Sequence, residues 1–282
     1  MEARLAAGGP LLYEVEDVAV RDLASDRPSI SFTSGGAEEV LECDLIAGCD
    51  GFHGVCRPSV PEGAIIEFER VYPFSWLGIL ATVAPSTDEL IYAYHDRGFA
   101  LHSLRSPEIS RLYIQVRPEE DIGEWPDDRI WEELRTRLAS DDGWTLTDGP
   151  IIEKGIAAMR SFVVEPMQYG RLFLAGDAAH IVPATGAKGL NLAVHDVHVL
   201  AGALATWYRT GDAEEMDRYS DRCLRRVWRV QEFSSSMSSM LHRLPDDDGF
   251  VGRLQRAQLA YVCGSTAAAT SLAENYVGLE RV

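Results

Sequence analysis

Short apolar runs separated by turn residues dominate the first half of the chain. They lie at residues 11–22, 29–33 and 39–47, and a series of them follows from 65 to 116. Asp96-Arg97-Gly98 and Ser106-Pro107-Glu108 punctuate that series, which predicts an antiparallel sheet. Helical spacing comes later. Ile130, Trp131, Leu134 and Leu138 share one face of a helix expected over 127–138 behind an Asp cap. A buried strand is expected over 170–176 and a long apolar helix over 187–209, ended near Gly211. Further helices are expected over 213–244 and 250–273, with 245–249 as the break. A short helix over 2–7, stopped by Gly8-Gly9-Pro10, has nothing upstream to cap it.

The most specific stretch runs from Gly170 to Asn191. In it an apolar strand ends at Gly176-Asp177, a small-residue turn follows, and Thr185-Gly186-Ala187-Lys188-Gly189 feeds the long helix. Asp177 at the carboxyl end of a strand can accept hydrogen bonds from ribityl or ribose hydroxyls. The amides of Gly189, Leu190 and Asn191 open the next helix, whose positive end favours the electron-rich edge of an isoalloxazine ring. The pattern therefore suits a flavin. The alternative is a generic strand-turn-helix with an acidic cap, which Gly-Asp-Ala alone does not distinguish.

Composition narrows the classes. The 282 residues are 46% apolar with a net charge of −18, which argues against nucleic acid or an anionic membrane as partner. Five scattered cysteines without Cys-x-x-Cys spacing read as reduced thiols of a cytoplasmic protein. With no 18-residue apolar run and no leader-like stretch, neither secretion nor membrane spanning is expected, and Gly-x-Ser-x-Gly and P-loop strings are missing too. His195 and His198 lie three apart without a third ligand nearby, so no metal is expected.

Period two places Ser103 with Arg105, and Arg111 with Tyr113, on one face of paired strands. Two guanidiniums, a hydroxyl and a phenol there could grip a carboxylate, with Tyr92 reaching the same cavity. A solvated face with rim arginines is the commoner fate of such residues. Asp50-Gly51 forms a second acidic turn, after which His53 and Arg57 could touch a nucleotide phosphate or lie on the surface. For His180 a structural role is expected.

Taken together, Asp44-Leu45-Ile46-Ala47-Gly48-Cys49-Asp50-Gly51-Phe52-His53-Gly54, Glu69-Arg70-Val71-Tyr72-Pro73-Phe74, Arg160-Ser161-Phe162-Val163-Val164-Glu165-Pro166-Met167 and Ala273-Glu274-Asn275-Tyr276-Val277-Gly278 resemble, in order, the para-hydroxybenzoate hydroxylase family of flavoprotein aromatic monooxygenases. The resemblance implies FAD and NADPH as cofactors and ortho-hydroxylation of 4-hydroxybenzoate to 3,4-dihydroxybenzoate by molecular oxygen through a flavin hydroperoxide. It implies that Arg105, Ser103 and Tyr113 bind the substrate carboxylate, and that Tyr92 and Tyr276 relay the phenolic proton. Ala184 and Thr185 would line the substrate loop. Asp50, Asp177, Gly189, Leu190, Asn191 and Arg111 would hold the flavin, and His53 and Arg57 would contact NADPH.

The implied fold is an α/β (α+β) flavin monooxygenase fold lacking its amino-terminal βαβ unit. Its expected parts are 1–63 and 166–212 for FAD, 64–165 as an antiparallel β-sheet substrate domain, and 213–282 as a helical region that offers the surface for a homodimer. Three departures stand out. Ala184 replaces a proline; Tyr94 and His102 replace residues of other kinds and are expected to turn away from Tyr92 and Ser103. The sequence has no Gly-x-Gly-x-x-Gly string for the FAD pyrophosphate. Two alternatives stay open: a catalytically inactive fragment, or a related monooxygenase acting on another phenolic acid.

Overall fold

A computed structural model describes residues 6–244 and 249–278. In chain order its elements are β1 (Glu16–Arg21), β2 (Ser29–Ser34), β3 (Ala37–Glu42), β4 (Ile46–Gly48), β5 (Ile66–Ala81), β6 (Ile91–Ala93), β7 (Ala100–Ser106), β8 (Ile109–Val116), α1 (Asp127–Arg137), β9 (Ile151–Glu165), β10 (Gln168–Tyr169), β11 (Leu172–Leu174), β12 (His180–Ile181), α2 (Gly189–Thr210), α3 (Glu214–Asp217), α4 (Tyr219–Leu241), α5 (Phe250–Gly264) and α6 (Thr266–Val277). The chain divides into two compact units. The strands β5 and β9 and the helix α4 each contribute residues to both.

The first unit comprises Met1–Phe68, Phe162–Ile181 and Gly189–Trp228. It holds an antiparallel sheet, β1-β2-β3, and a second sheet, β10-β11-β4, in which β11 runs parallel to β4. The predicted strand over 39–47 is thus two strands in two sheets, because the backbone leaves β3 at Cys43 and re-enters at Ile46. Helix α2 buries Leu192, Asp196, Val199, Leu200 and Ala203, a stripe at helical spacing. Gly170, at φ 54°, lies so close to the Leu23 carbonyl that a Cβ would stand 2.2 Å from its oxygen.

The second unit comprises Glu69–Ser161, Val182–Lys188 and Arg229–Val282. Its sheet runs in the order β9-β5-β8-β7-β6. Alternation along β5 gives the sheet two apolar faces. Leu77, Ile79 and Ala81 join Leu112, Ile114 and the α1 residues Ile130, Trp131 and Leu134 in one core. Tyr72, Phe74 and Trp76 join Phe99, Leu101 and the α4 residues Phe233, Met237 and Leu241 in the other. Burial of apolar surface, at about 25 cal/mol per Å², stabilises the sheet on both faces.

Several expectations change. The 15-residue β9 was not expected, since Gly155 and Ala157-Ala158-Met159 interrupt any alternation. Asp127 is the first residue of α1 rather than its cap; Pro126 occupies the cap position, and Asp127 and Asp128 face the helix's positive end. The helix expected over 213–244 is α3 and α4, and that over 250–273 is α5 and α6. Ser265 separates the latter pair, its side chain accepting from the Ala268 amide. Residues 2–5 and 245–248, parts of the expected first helix and of the expected break, lie outside the described residues.

Candidate active site

In the first unit the two acidic turns share one structural address. β4 and β11 are parallel neighbours with Gly48 opposite Leu174, so Asp50-Gly51 and Gly176-Asp177 both follow carboxyl ends of adjacent strands. Crevices at such ends are where open α/β sheets bind ligands. Gly176 takes φ 62° and starts a 3-10 turn that leaves Asp177 exposed. Asp196, which no sequence motif marked, fixes this turn. One of its carboxylate oxygens accepts from the Gly176 amide at 2.9 Å and meets His180 Nε2 at 2.6 Å, with both side chains almost wholly buried. The spacing of α2's apolar residues already put Asp196 on the inward face, which was the available signal.

Asp50 accepts from the Cys56 amide at 2.8 Å and thereby closes its own turn. Burial, with Asp50 beside it, pushes the Cys56 thiol up to about 12. Arg57 donates to the carbonyls of Phe52 (2.8 Å) and Ala178 (3.1 Å), pairs with Glu67 at 3.2 Å, and lies 4.6 Å from the ring centres of Phe52 and Phe162. It thus ties one acidic turn to the other. His53 is exposed, edge-on to Phe52.

The residues present fit part of an FAD molecule. Among the described residues the amides of Gly189, Leu190 and Asn191 at the start of α2 meet no acceptor, and a Cβ at Gly189 would meet open space. Those donors and the exposed Asp177 carboxylate match a flavin pyrimidine edge and ribityl chain.

In the second unit the register gathers the expected substrate residues. Tyr92 pairs with Leu101, Leu101 with Tyr113, and Ser103 with Arg111, which puts Tyr92, Ser103, Arg111 and Tyr113 on one face. Ser103 Oγ donates to the Arg111 carbonyl at 2.9 Å, and the Arg111 guanidinium lies 5.4 Å from the Tyr113 ring centre. Arg105 sits in a bulge between Leu104 and Ser106, exposed, where period two no longer sets its direction. Tyr94 was expected to turn away from Tyr92, yet it packs in the same aromatic cluster and its hydroxyl accepts from Arg243 at 3.1 Å. Period two itself places residues 92 and 94 on one side. His102 does turn to the opposite face, opposite Leu112.

The Tyr92 hydroxyl donates to the Thr185 carbonyl at 3.0 Å and stands 3.3 Å from the Tyr276 hydroxyl. Burial above all, and the Tyr276 contact next, raise its pKa beyond the ordinary tyrosine range. The Ala184 carbonyl accepts from the Ala187 amide at 2.9 Å, closing a 3-10 turn around buried Thr185. Lys188, which sequence reasoning passed over, donates to the Tyr276 carbonyl and lies 5.1 Å from its ring centre. Ser238 and His242 on and after α4 were also missed; no motif marks them.

Residues 1–234 match the model of the FAD binding domain family. Over 279 residues the chain is 53% identical to the p-hydroxybenzoate hydroxylase of Acinetobacter baylyi, covering 99% of this chain and 69% of that protein. Among solved structures, p-nitrophenol 4-monooxygenase from Pseudomonas putida has a TM-score of 0.72 at 18% identity, over 95% of this chain and 67% of that one. Aklavinone-11 hydroxylase, solved with FAD and aklavinone, has a TM-score of 0.70 at 20% identity, over 84% of this chain and 46% of that one. The two structural likenesses concern the fold; the extended sequence identity goes further, and the chain belongs to the p-hydroxybenzoate hydroxylase family of FAD-dependent flavoprotein monooxygenases.

Proposed function

We propose that this chain carries the substrate site and part of the flavin site of an enzyme that hydroxylates 4-hydroxybenzoate to 3,4-dihydroxybenzoate, using NADPH and molecular oxygen in the cytoplasm. FAD, when bound, carries electrons from NADPH to oxygen and supplies the oxygen atom transferred to the ring. The protein's part is to orient and deprotonate the substrate. Arg105 and Tyr113 hold the carboxylate, joined by Ser103 when its hydroxyl turns from the Arg111 carbonyl; Tyr92 meets the phenol, and Tyr276 passes its proton onward. Loss of that proton pushes electron density to the ortho carbon, which is the atom that must be nucleophilic. Asp177, Gly189, Leu190 and Asn191 hold the flavin, Asp50 and Arg111 support it, and His53 and Arg57 face NADPH.

One observation carries the proposal: the Tyr92 hydroxyl stands 3.3 Å from that of Tyr276, on the sheet face that also bears Ser103 and Tyr113. Replacing Tyr276 by Phe in FAD-loaded protein is expected to leave the substrate Kd nearly unchanged. It should slow hydroxylation by on the order of 10²-fold and divert NADPH oxidation to hydrogen peroxide. Unchanged product per NADPH would remove the relay.

A second substrate, an amino or 3-substituted phenolic acid, is favoured by one feature. Ala184 lacks the ring by which a proline would fix φ at this position, so the turn closed by the Ala187 amide on the Ala184 carbonyl is less rigid than with proline. Comparing kcat/KM and coupling for 4-hydroxybenzoate and its 3-amino analogue decides between the two.

A further inference from the structure

Two backbone carbonyls fix the direction of the protons around Tyr92. A hydroxyl has one proton to donate. Ser238 Oγ donates to the Ser234 carbonyl at 2.8 Å, so in its 2.8 Å contact with Thr185 Oγ1 the donor is Thr185. Tyr92 likewise donates to the Thr185 carbonyl, so in its contact with Tyr276 the donor is Tyr276. Thr185 therefore holds α4 through its side chain and Tyr92 through its backbone. Gly186 tightens the same docking, since a Cβ there would stand 2.2 Å from Ser234 Oγ.

The α4 end of this chain is itself anchored. The Trp76 indole donates to His242 Nε2 at 2.6 Å, which leaves the ring proton on Nδ1, 2.9 Å from the Ser238 carbonyl. The imidazole lies flat on Phe74, with ring centres 4.2 Å apart. Ser238 is thus held against β5 from one side and offers a fixed acceptor to Thr185 on the other.

We propose that Ser238 is a positioning residue for the hydroxylation: by holding Thr185, it keeps that residue's carbonyl as the resting acceptor of the Tyr92 proton. In that arrangement Tyr92 can accept a hydrogen bond from a substrate phenol but cannot donate to the phenolate; it takes the phenolic proton only by giving its own to Tyr276, which requires both hydroxyls to turn from their resting directions. The inference rests on Tyr92 being the phenol's partner. The titratable groups facing Tyr92 are Tyr113 from β8 and Tyr276 from α6, with the Lys188 ammonium over the Tyr276 ring. Ser238→Ala alters none of them.

The test is an absorbance titration of the phenol of 4-hydroxybenzoate bound to FAD-loaded protein. Ser238→Ala slackens the Thr185 carbonyl and lets Tyr92 donate to the phenolate, so the bound phenol is expected to become about 3–10-fold more acidic, with Kd changed less than about threefold. Thr185→Val removes the same contact from the other side and should give the same change, and the double variant no more than either. Unchanged acidity in both single variants, additive changes in the double, or a change confined to Kd overturns the proposal. Tyr276→Phe measured alongside separates the two levels. If it alters the acidity while the Ser238 and Thr185 variants do not, only the role of Ser238 falls. If Tyr276→Phe also leaves the acidity unaltered, the relay itself is wrong.

Discussion

His242 shows how far a single side chain can depend on its surroundings. It is buried among Phe74, Trp76 and Phe99, and this burial lowers its pKa to about 3, against the partial support of the Ser238 carbonyl. The folded state therefore refuses a proton that the unfolded chain accepts below about pH 6.5. Stability is fully present above that pH and falls, by at most about 1.4 kcal/mol per pH unit from this group, as pH drops toward the folded pKa. His242→Phe keeps a flat ring on Phe74 but leaves the Trp76 indole without its acceptor, at a cost of about 1–3 kcal/mol at pH 7. Urea unfolding of both proteins between pH 4 and pH 7 should show a shallower pH slope in the variant. Equal slopes would exclude His242 as a source of the pH dependence. Nothing around position 242 in the sequence announces this, because its ring partners come from β5 and from Phe99, far away in the chain, and its carbonyl partner from Ser238.

At the scale of elements, legibility followed local chemistry. The β5-to-β8 region was readable because turn residues bound each strand, and Gly176-Asp177 because a strand end and a helix start flank it. β9 was not, since most of its pairing is with β5, about 80 residues away, and its own residues suit a helix as well. The break between α5 and α6 was present in Gly264-Ser265 but hidden inside apolar spacing. Ser265 accepts from the Ala268 amide at 3.4 Å and starts the helix that carries Tyr276. Ser265→Ala should cost about 1 kcal/mol, lowering Tm by about 2–4 °C. An unchanged melting curve would show that packing, not the cap, starts α6.

At the scale of the molecule, family membership came from blocks spread over nearly the whole chain, each weak alone. The grouping of Tyr92, Ser103, Arg111 and Tyr113 was foreseeable from period two, whereas the ties made by Asp196, Ser238 and Lys188 depend on tertiary packing. No helix among the described residues is long and apolar enough to cross a membrane, and the five cysteines are all free thiols. If the first unit holds flavin through Asp177 and the start of α2, FAD should raise the Tm of the purified chain, by an amount set by its concentration over Kd. Asp177→Ala should abolish that shift while moving the Tm of the FAD-free protein by no more than about 2 °C, because Asp177 is exposed. An undiminished shift in the variant would place the main flavin contacts elsewhere.

The bulge between Leu104 and Ser106 has a wider meaning. A strand is a two-stroke alternation, and one supernumerary residue resets its phase for everything between the bulge and the hairpin tip. Gaining or losing a single codon here would exchange which of Leu104, Arg105 and Ser106 shares the sheet face of Tyr92 and Tyr113. If Arg105 holds the substrate carboxylate as proposed, length alone would rewrite that recognition without replacing any residue.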